Sequence, residues 1–119
     1  MTTKLLDYFP ADEIENVKEI VKELHGQLLL NKKIGAPNLA LLVIYMLSNR
    51  NKANSVSEKD AVNFFEETGC GSSTDFSKVL YELTKRDKSN PCVIKKGEML
   101  SLTFAGLSKV KELISGESK

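Results

Sequence analysis

The sequence predicts a mainly α-helical domain that carries one small β-hairpin near its C-terminal end. Three observations support this fold class. Residues 39–47 are apolar without interruption, which is typical of a helix that is buried on every side. Two helical segments with N-capping residues follow, joined by a turn that contains glycine. Residues 93–103 then form two β-rich runs around Gly97, which is the pattern of a hairpin.

The composition is that of an ordinary globular chain of one domain, which we assign to residues 1–119. Apolar residues make up 41% of the chain and charged residues 28%, so we expect a hydrophobic core rather than disorder. The longest apolar run has nine residues, whereas a helix needs about 20 to span a bilayer. The N-terminal residues do not have the pattern of a secretory signal. We therefore expect a cytoplasmic protein without a membrane segment.

Residues that usually carry catalysis or bind metals are scarce. The chain has one histidine, His25, and two widely separated cysteines, Cys70 and Cys92. These residues supply neither a zinc ligand set nor a nucleophile with its base, so we expect no enzyme activity, no cofactor and no metal. The cysteines are expected to be reduced thiols. A disulfide would need their sulfurs to meet in space, and a redox switch would need a positive charge beside one thiol.

The N-terminal part predicts a long amphipathic helix over residues 12–33. Pro10 and Asp12 suit its start, and the acidic first turns and the basic end match the helix dipole. Its apolar residues recur at alternating steps of three and four. They are Ile14, Val17, Val21, Leu24 and Leu28. This stripe spans only two heptads, and it fits both a helix packed on the domain core and a dimerisation arm.

Helix starts and ends are signalled locally in the rest of the chain. Pro37 suits the first turn of the apolar helix, which ends in the polar stretch 48–54. Val56 predicts a short strand. Ser57 follows with Asp60 three residues later, which is the spacing of a capping box at the start of a helix.

The same capping signature begins the next helix. Ser72 is followed three residues later by Asp75, after a turn over residues 68–71 that contains two glycines. Two capped helices joined by such a turn predict a helix-turn-helix. After the hairpin, Thr103 occupies the N-cap position of a last helix.

From residue 37 to residue 114 the order of elements resembles the winged helix-turn-helix superfamily, in the version found in small prokaryotic transcription regulators such as the MarR and PadR families. The most specific part is Leu102-Thr103-Phe104-Ala105-Gly106, which is similar to the leucine-threonine, two residues, glycine ending of many wings in these families. The predicted fold is thus a winged helix-turn-helix with an additional N-terminal helix. The acid-x-arginine wing signature of the MarR family is absent, because 95–98 reads Lys-Lys-Gly-Glu and the turn is short.

The resemblance implies binding of duplex DNA, in which the second helix of the pair enters the major groove and the wing contacts phosphates. Residues 72–96 carry six basic and three acidic residues, a net charge of +3, where such a protein needs positive charge. Phe76, Val79, Leu80 and Leu83 define the inner face of this helix. The residues expected to contact DNA are Ser73, Thr74, Ser77, Lys78, Tyr81, Lys85 and Arg86 from the helix, and Lys95 and Lys96 from the wing.

The sequence therefore predicts a DNA-binding transcription regulator with double-stranded DNA as its partner, in the form of a homodimer that pairs through the N-terminal helix. Asp75 and Glu82 share the reading helix and would repel phosphate if they face outward. The alternative is a winged-helix module that binds another protein and not DNA. In that case Tyr81 or an exposed apolar patch would carry the contact, and the lysines would be dispensable.

Overall fold

The computed structural model describes residues 5–18, 20–24, 27–84 and 91–115. Its N-terminal part consists of short elements. They are helix α1 (Leu5–Tyr8), a 3-10 turn (Ala11–Glu13), helix α2 (Ile14–Val17), strands β1 (Val21–Leu24) and β2 (Gln27–Leu30), and a second 3-10 turn (Lys32–Ile34). Strands β1 and β2 pair in an antiparallel hairpin, with Val21 opposite Leu30 and Leu24 opposite Gln27.

The single helix predicted over residues 12–33 is therefore wrong. Steps of three and four fit a helix, but in the structure burial alternates along β2, where Leu28 and Leu30 are buried and Leu29 is half-buried. Gly26 lies between the two strands in sequence, and a glycine inside a helix costs about 1 kcal/mol relative to alanine. The local periodicity of apolar residues favoured a helix, but this segment forms two strands that pack on the core.

The apolar stripe of this region is used inside the chain itself. Val17, Val21 and Leu28 are buried in the core, and Ile14 is half-buried and packs against that core. Leu24 belongs to β1, and its side chain lies outside the described part of the chain. The dimerisation arm predicted as one helix along these five residues is wrong, because they are divided among α2, β1 and β2 and the buried ones face the chain's own core.

The central helix α3 (Ala36–Asn51) confirms the prediction from the uninterrupted apolar run. Pro37 lies in its first turn, and every residue from Leu39 to Leu47 is buried. Helix α1, the three helices that follow α3 in the chain and the strand Met99–Leu102 all contact it. Within the part of the chain that the structure describes, no helix combines the length and the apolar character that crossing a membrane requires.

The remaining elements follow α3 in the predicted order. They are strand β3 (Val56–Ser57), helices α4 (Glu58–Glu67) and α5 (Ser73–Leu83), strands β4 (Val93–Lys96) and β5 (Met99–Leu102), and helix α6 (Phe104–Ser115). The three strands form one antiparallel sheet in the order β3-β5-β4. Val56 pairs with Leu100, and Val93 pairs with Leu102 on the other side of β5. A mainly α-helical chain with a small hairpin is thus confirmed.

The predicted helix caps are present. Ser57 Oγ accepts a hydrogen bond from the Asp60 amide at 3.1 Å. Ser72 Oγ accepts from the Asp75 amide at 3.3 Å, while Asp75 Oδ2 accepts from the Ser72 amide at 3.1 Å, which completes a capping box. Thr103 Oγ1 accepts from the Gly106 amide at 3.1 Å at the start of α6. These bonds satisfy amide groups that the first turn of a helix leaves without partners.

Gly106 allows α6 to approach the chain that leads into the hairpin. Thr103 is anchored there twice, because its amide donates to the Cys92 carbonyl at 3.0 Å and its hydroxyl donates to the Pro91 carbonyl at 2.6 Å. A β-carbon added at Gly106 would overlap the Cys92 carbonyl oxygen. The overlap is with backbone, so rotation of a side chain cannot relieve it.

We predict that Gly106→Ala destabilises the protein, by about 2 kcal/mol, although alanine is the better helix former by about 1 kcal/mol. The measurement is the urea denaturation midpoint by circular dichroism. Lys109→Ala, at an exposed position of the same helix, is the matched control and should change stability by less than about 0.5 kcal/mol. A Gly106→Ala protein at least as stable as the wild type would contradict the close approach.

A partly buried polar cluster joins three parts of the chain. Tyr45 of α3 donates its hydroxyl to Glu13 Oε1 at 2.8 Å, and Lys111 of α6 donates to Glu13 Oε2 at 2.6 Å and to the Tyr45 hydroxyl at 2.9 Å. Glu13 is 9% exposed and Tyr45 5% exposed, so both are withdrawn from water. The cluster fixes the N-terminal segment and α6 onto the central helix.

Burial and this cluster shift two pKa values. Burial raises the pKa of the Tyr45 hydroxyl, and the hydrogen bond from Lys111 only partly offsets that rise. Burial by itself lowers the pKa of the Lys111 ammonium group, but hydrogen bonds to Glu13 and Tyr45 outweigh it and raise that pKa above its ordinary value. Both groups therefore hold their protons more tightly in the folded chain than in the unfolded chain.

We predict a loss of stability at alkaline pH that depends on Lys111. A group whose pKa is higher in the folded chain than in the unfolded chain stabilises the fold, and this contribution is complete at pH values below the unfolded pKa, which is about 10 for both groups. The contribution is lost as the pH rises through the pKa of the folded chain. The urea midpoint should hold up to about pH 9 and fall progressively from about pH 10 upward. The fall should be shallower for Lys111→Met and unchanged for the exposed control Lys109→Met. Equal slopes for Lys111→Met and the wild type would contradict the role of the cluster.

Candidate nucleic-acid interface

The outward face of α5 is polar, and its residues are the ones predicted from the sequence. Phe76 and Leu80 are buried, and Val79 and Leu83 pack half-buried against the core, so the predicted inner face is confirmed. The predicted reading residues in the described part of the helix are all exposed. They are Ser73, Thr74, Ser77, Lys78 and Tyr81. Lys85 and Arg86 lie outside the described residues.

The turn between α4 and α5 sets the angle at which α5 is presented. Gly69 has φ +76°, in the left-handed region that favours glycine. Beside it, the buried Thr68 donates its hydroxyl to the Phe64 carbonyl at 2.8 Å. Phe65 of α4 and Phe76 of α5 then meet edge to face, with ring centroids 5.1 Å apart. These contacts hold the two helices as one unit, with the outward face of α5 turned away from the core.

The N-terminus of α5 is occupied by carboxylates of the chain itself. Glu66 Oε2 accepts from the Ser73 amide at 3.1 Å, and Asp75 binds the Ser72 amide in the capping box. These are the amide groups that in many proteins bind a phosphate at a helix N-terminus. Two carboxylates thus already stabilise this end of α5, and the exposed side chains of Thr74, Ser77 and Lys78 lie further along the same face.

The hairpin places its two lysines on opposite faces. Lys95 is opposite Leu100 and Lys96 is opposite Met99 in the strand register, and successive residues of a strand face opposite sides. Lys95 lies on the same side as the buried Leu100, and its Nζ is 2.8 Å from Glu58 Oε1 at the start of α4. Lys96 lies on the outer side. The sequence predicted equivalent roles for the two lysines, and the structure separates them.

The turn of the hairpin is fastened to α4. The Glu58 amide donates to the Glu98 carbonyl at 2.7 Å, and Ser57 of β3 pairs with Met99 of β5. The hairpin is therefore joined to the start of the helix pair through its turn and the first two residues of β5.

Several exposed apolar side chains were not predicted from the sequence. Phe104 at the start of α6 is 87% exposed, and Leu107 one turn later is also exposed. Ile94 and Met99 are exposed on the outer face of the hairpin. Phe104 could have been identified from the sequence, because it follows the cap Thr103 on a different side of α6 from the buried Val110 and Ile114.

The clefts near this surface carry little chemistry. One of about 440 Å³ lies between the end of α5 and β4 and is lined by Thr84, Pro91, Val93, Ile94 and Lys95. A second of about 440 Å³ runs along the start of α6 and is lined by Pro91, Thr103, Phe104, Ala105 and Ser108. In the described ranges no three His, Cys, Asp or Glu side chains are grouped so that they could hold a metal ion. Cys70 is half-buried and Cys92 is buried, and the two do not form a disulfide.

Comparison of the chain with protein-family models, with curated proteins and with solved structures gives no match.

Proposed function

We propose that this chain is a winged helix-turn-helix protein that binds duplex DNA and regulates transcription. The observation that carries the proposal is the succession α3, β3, α4, α5, β4 and β5 with the sheet order β3-β5-β4, which presents the polar face of α5 beside the hairpin. A second helix held in this way, next to a wing, has the arrangement that places side chains in the major groove. The step from fold to function rests on analogy, and the exposed polar face supports it.

The roles of the residues follow from their exposure. Lys78 is placed to reach guanine acceptors, and the hydroxyls of Thr74 and Ser77 suit several bases and so discriminate weakly between them. Tyr81 is 66% exposed and suits contact with sugar or a thymine methyl group. Lys96 suits phosphates, as do Lys85 and Arg86 from their position in sequence just after α5.

A homodimer and a cytoplasmic location belong to the same proposal. Helix-turn-helix proteins commonly bind two half-sites as dimers, which compensates for weak reading by each subunit. The dimer interface has to lie outside the N-terminal stripe, because Val17, Val21 and Leu28 are buried in the chain's own core. The mass in solution by light scattering tests the dimer directly.

We predict that the protein binds a labelled random 30-base-pair duplex with a Kd of about 1–100 µM near 0.15 M salt, measured by fluorescence anisotropy. Lys78→Ala and Lys96→Ala should each weaken binding about fivefold, and Lys96→Ala should also lower the slope of log affinity against log salt by about 0.9, because one phosphate contact is lost. Lys109→Ala on α6 is the charge-matched control and should leave the slope unchanged. Absence of binding at 50 mM salt would reject the proposal.

The exposed apolar residues favour a second candidate, a winged-helix module that binds another protein. Phe104 and Leu107 lie one turn apart on α6. An aromatic side chain that is 87% exposed is costly to leave in water and typical of interface hot spots. If the chain binds another protein, Phe104→Ser abolishes retention of that partner and Lys78→Ala has no effect on it. If the chain binds DNA, Lys78→Ala weakens duplex binding and Phe104→Ser does not.

A further inference from the structure

We propose that Glu58 limits the affinity of this protein for DNA by holding Lys95 of the wing in an ion pair. The inference rests on the proposed DNA-binding function and concerns how strongly that surface binds phosphate. It assigns to Glu58 a role that its position in the sequence, at the start of the first helix of the pair, does not suggest.

The ion pair lies at the edge of the candidate interface and is accessible. Lys95 Nζ and Glu58 Oε1 are 2.8 Å apart, with the side chains 45% and 27% exposed. A phosphate group can therefore approach Lys95, but only in competition with the carboxylate. Two backbone contacts also fix the start of α4 relative to the hairpin. The Glu58 amide donates to the Glu98 carbonyl, and Ser57 pairs with Met99.

The position of the pair is where a DNA backbone would pass. In a helix-turn-helix the first helix crosses the phosphate backbone while the second enters the groove. The start of α4 adjoins the wing in this chain, and its first turn carries the carboxylates of Glu58 and Asp60. A carboxylate at 2.8 Å from an ammonium group makes the contact that a phosphate oxygen would make. Glu58 therefore takes the place of a phosphate with respect to Lys95.

The two wing lysines consequently differ in function. Lys96 is on the opposite face of the hairpin from Lys95 and contacts DNA in the wild type. Lys95 contributes to DNA binding only to the extent that a phosphate displaces the Glu58 carboxylate. The strand register that separates the two lysines thus sets the number of phosphate contacts made by the wing.

The test is a comparison of the wild type with Glu58→Gln in the duplex titration described above, across about 50 to 200 mM salt. Glutamine keeps the size of the side chain and removes its charge. Release of Lys95 to a phosphate should tighten binding about fivefold at 0.1 M salt and steepen the salt slope by about 0.9. Thermal denaturation of each protein verifies that the fold is retained, since an exposed ion pair adds little to stability.

Two further variants separate this effect from a general change of charge. Glu98→Gln removes one negative charge from the turn of the same hairpin but leaves the Lys95–Glu58 pair intact, so its slope should equal that of the wild type. Combining Glu58→Gln with Lys95→Met should cancel the gain and return the affinity to within about twofold of the wild type. That reversal identifies Lys95 as the group that is released.

Each outcome decides the inference. A steeper slope for Glu58→Gln alone, abolished by Lys95→Met, supports it. Binding by the wild type with the same slope for Glu58→Gln overturns it and leaves the DNA-binding function standing, as does an equal gain for Glu98→Gln. Absence of binding by every protein at 50 mM salt rejects the DNA-binding function, and the inference falls with it.

Discussion

The rest of the structure depends on the burial of α3. A helix with nine consecutive buried residues has no side that can face water, so neighbouring elements must cover it all round. Full burial of one large apolar side chain is worth about 1.5–3 kcal/mol, so covering this helix makes a large favourable contribution. Helix α5 and strand β5 both contact α3, so the orientation of the candidate interface follows from the packing of the core. The outward face of α5 is simply the side that α3 leaves uncovered.

The parts of the fold that could be predicted are those with local causes. A cap requires a hydroxyl and an amide a few residues apart, and for Ser57, Ser72 and Thr103 the predicted bonds are present. The apolar run 39–47 could be interpreted without knowing its neighbours. The N-terminal hairpin could not, because apolar residues at 17, 21, 24 and 28 fit a helix in isolation and only the tertiary packing decides between helix and strand. Gly26 was the one local signal against a helix.

The same distinction holds for the candidate site. The exposed face of α5 was predictable because Phe76, Val79, Leu80 and Leu83 define the opposite face of one regular helix. The partner of Lys95 was not predictable, since Glu58 meets it only through the sheet order β3-β5-β4. Contacts of this kind depend on strand register, which neither composition nor spacing contains.

The charge of the surface therefore differs from the charge of the segment that forms it. Residues 72–96 carry a net +3, but of the six basic residues only Lys78, Lys95 and Lys96 fall in the described ranges, and Lys95 is paired with a carboxylate from α4. Glu66, also from α4, adds a negative charge at the start of α5. Electrostatic attraction to DNA depends on the phosphates that the cations neutralise and not on a count along the sequence. Under the function proposed above, a few lysines of this surface bind DNA, and the carboxylates beside them set the strength of that binding.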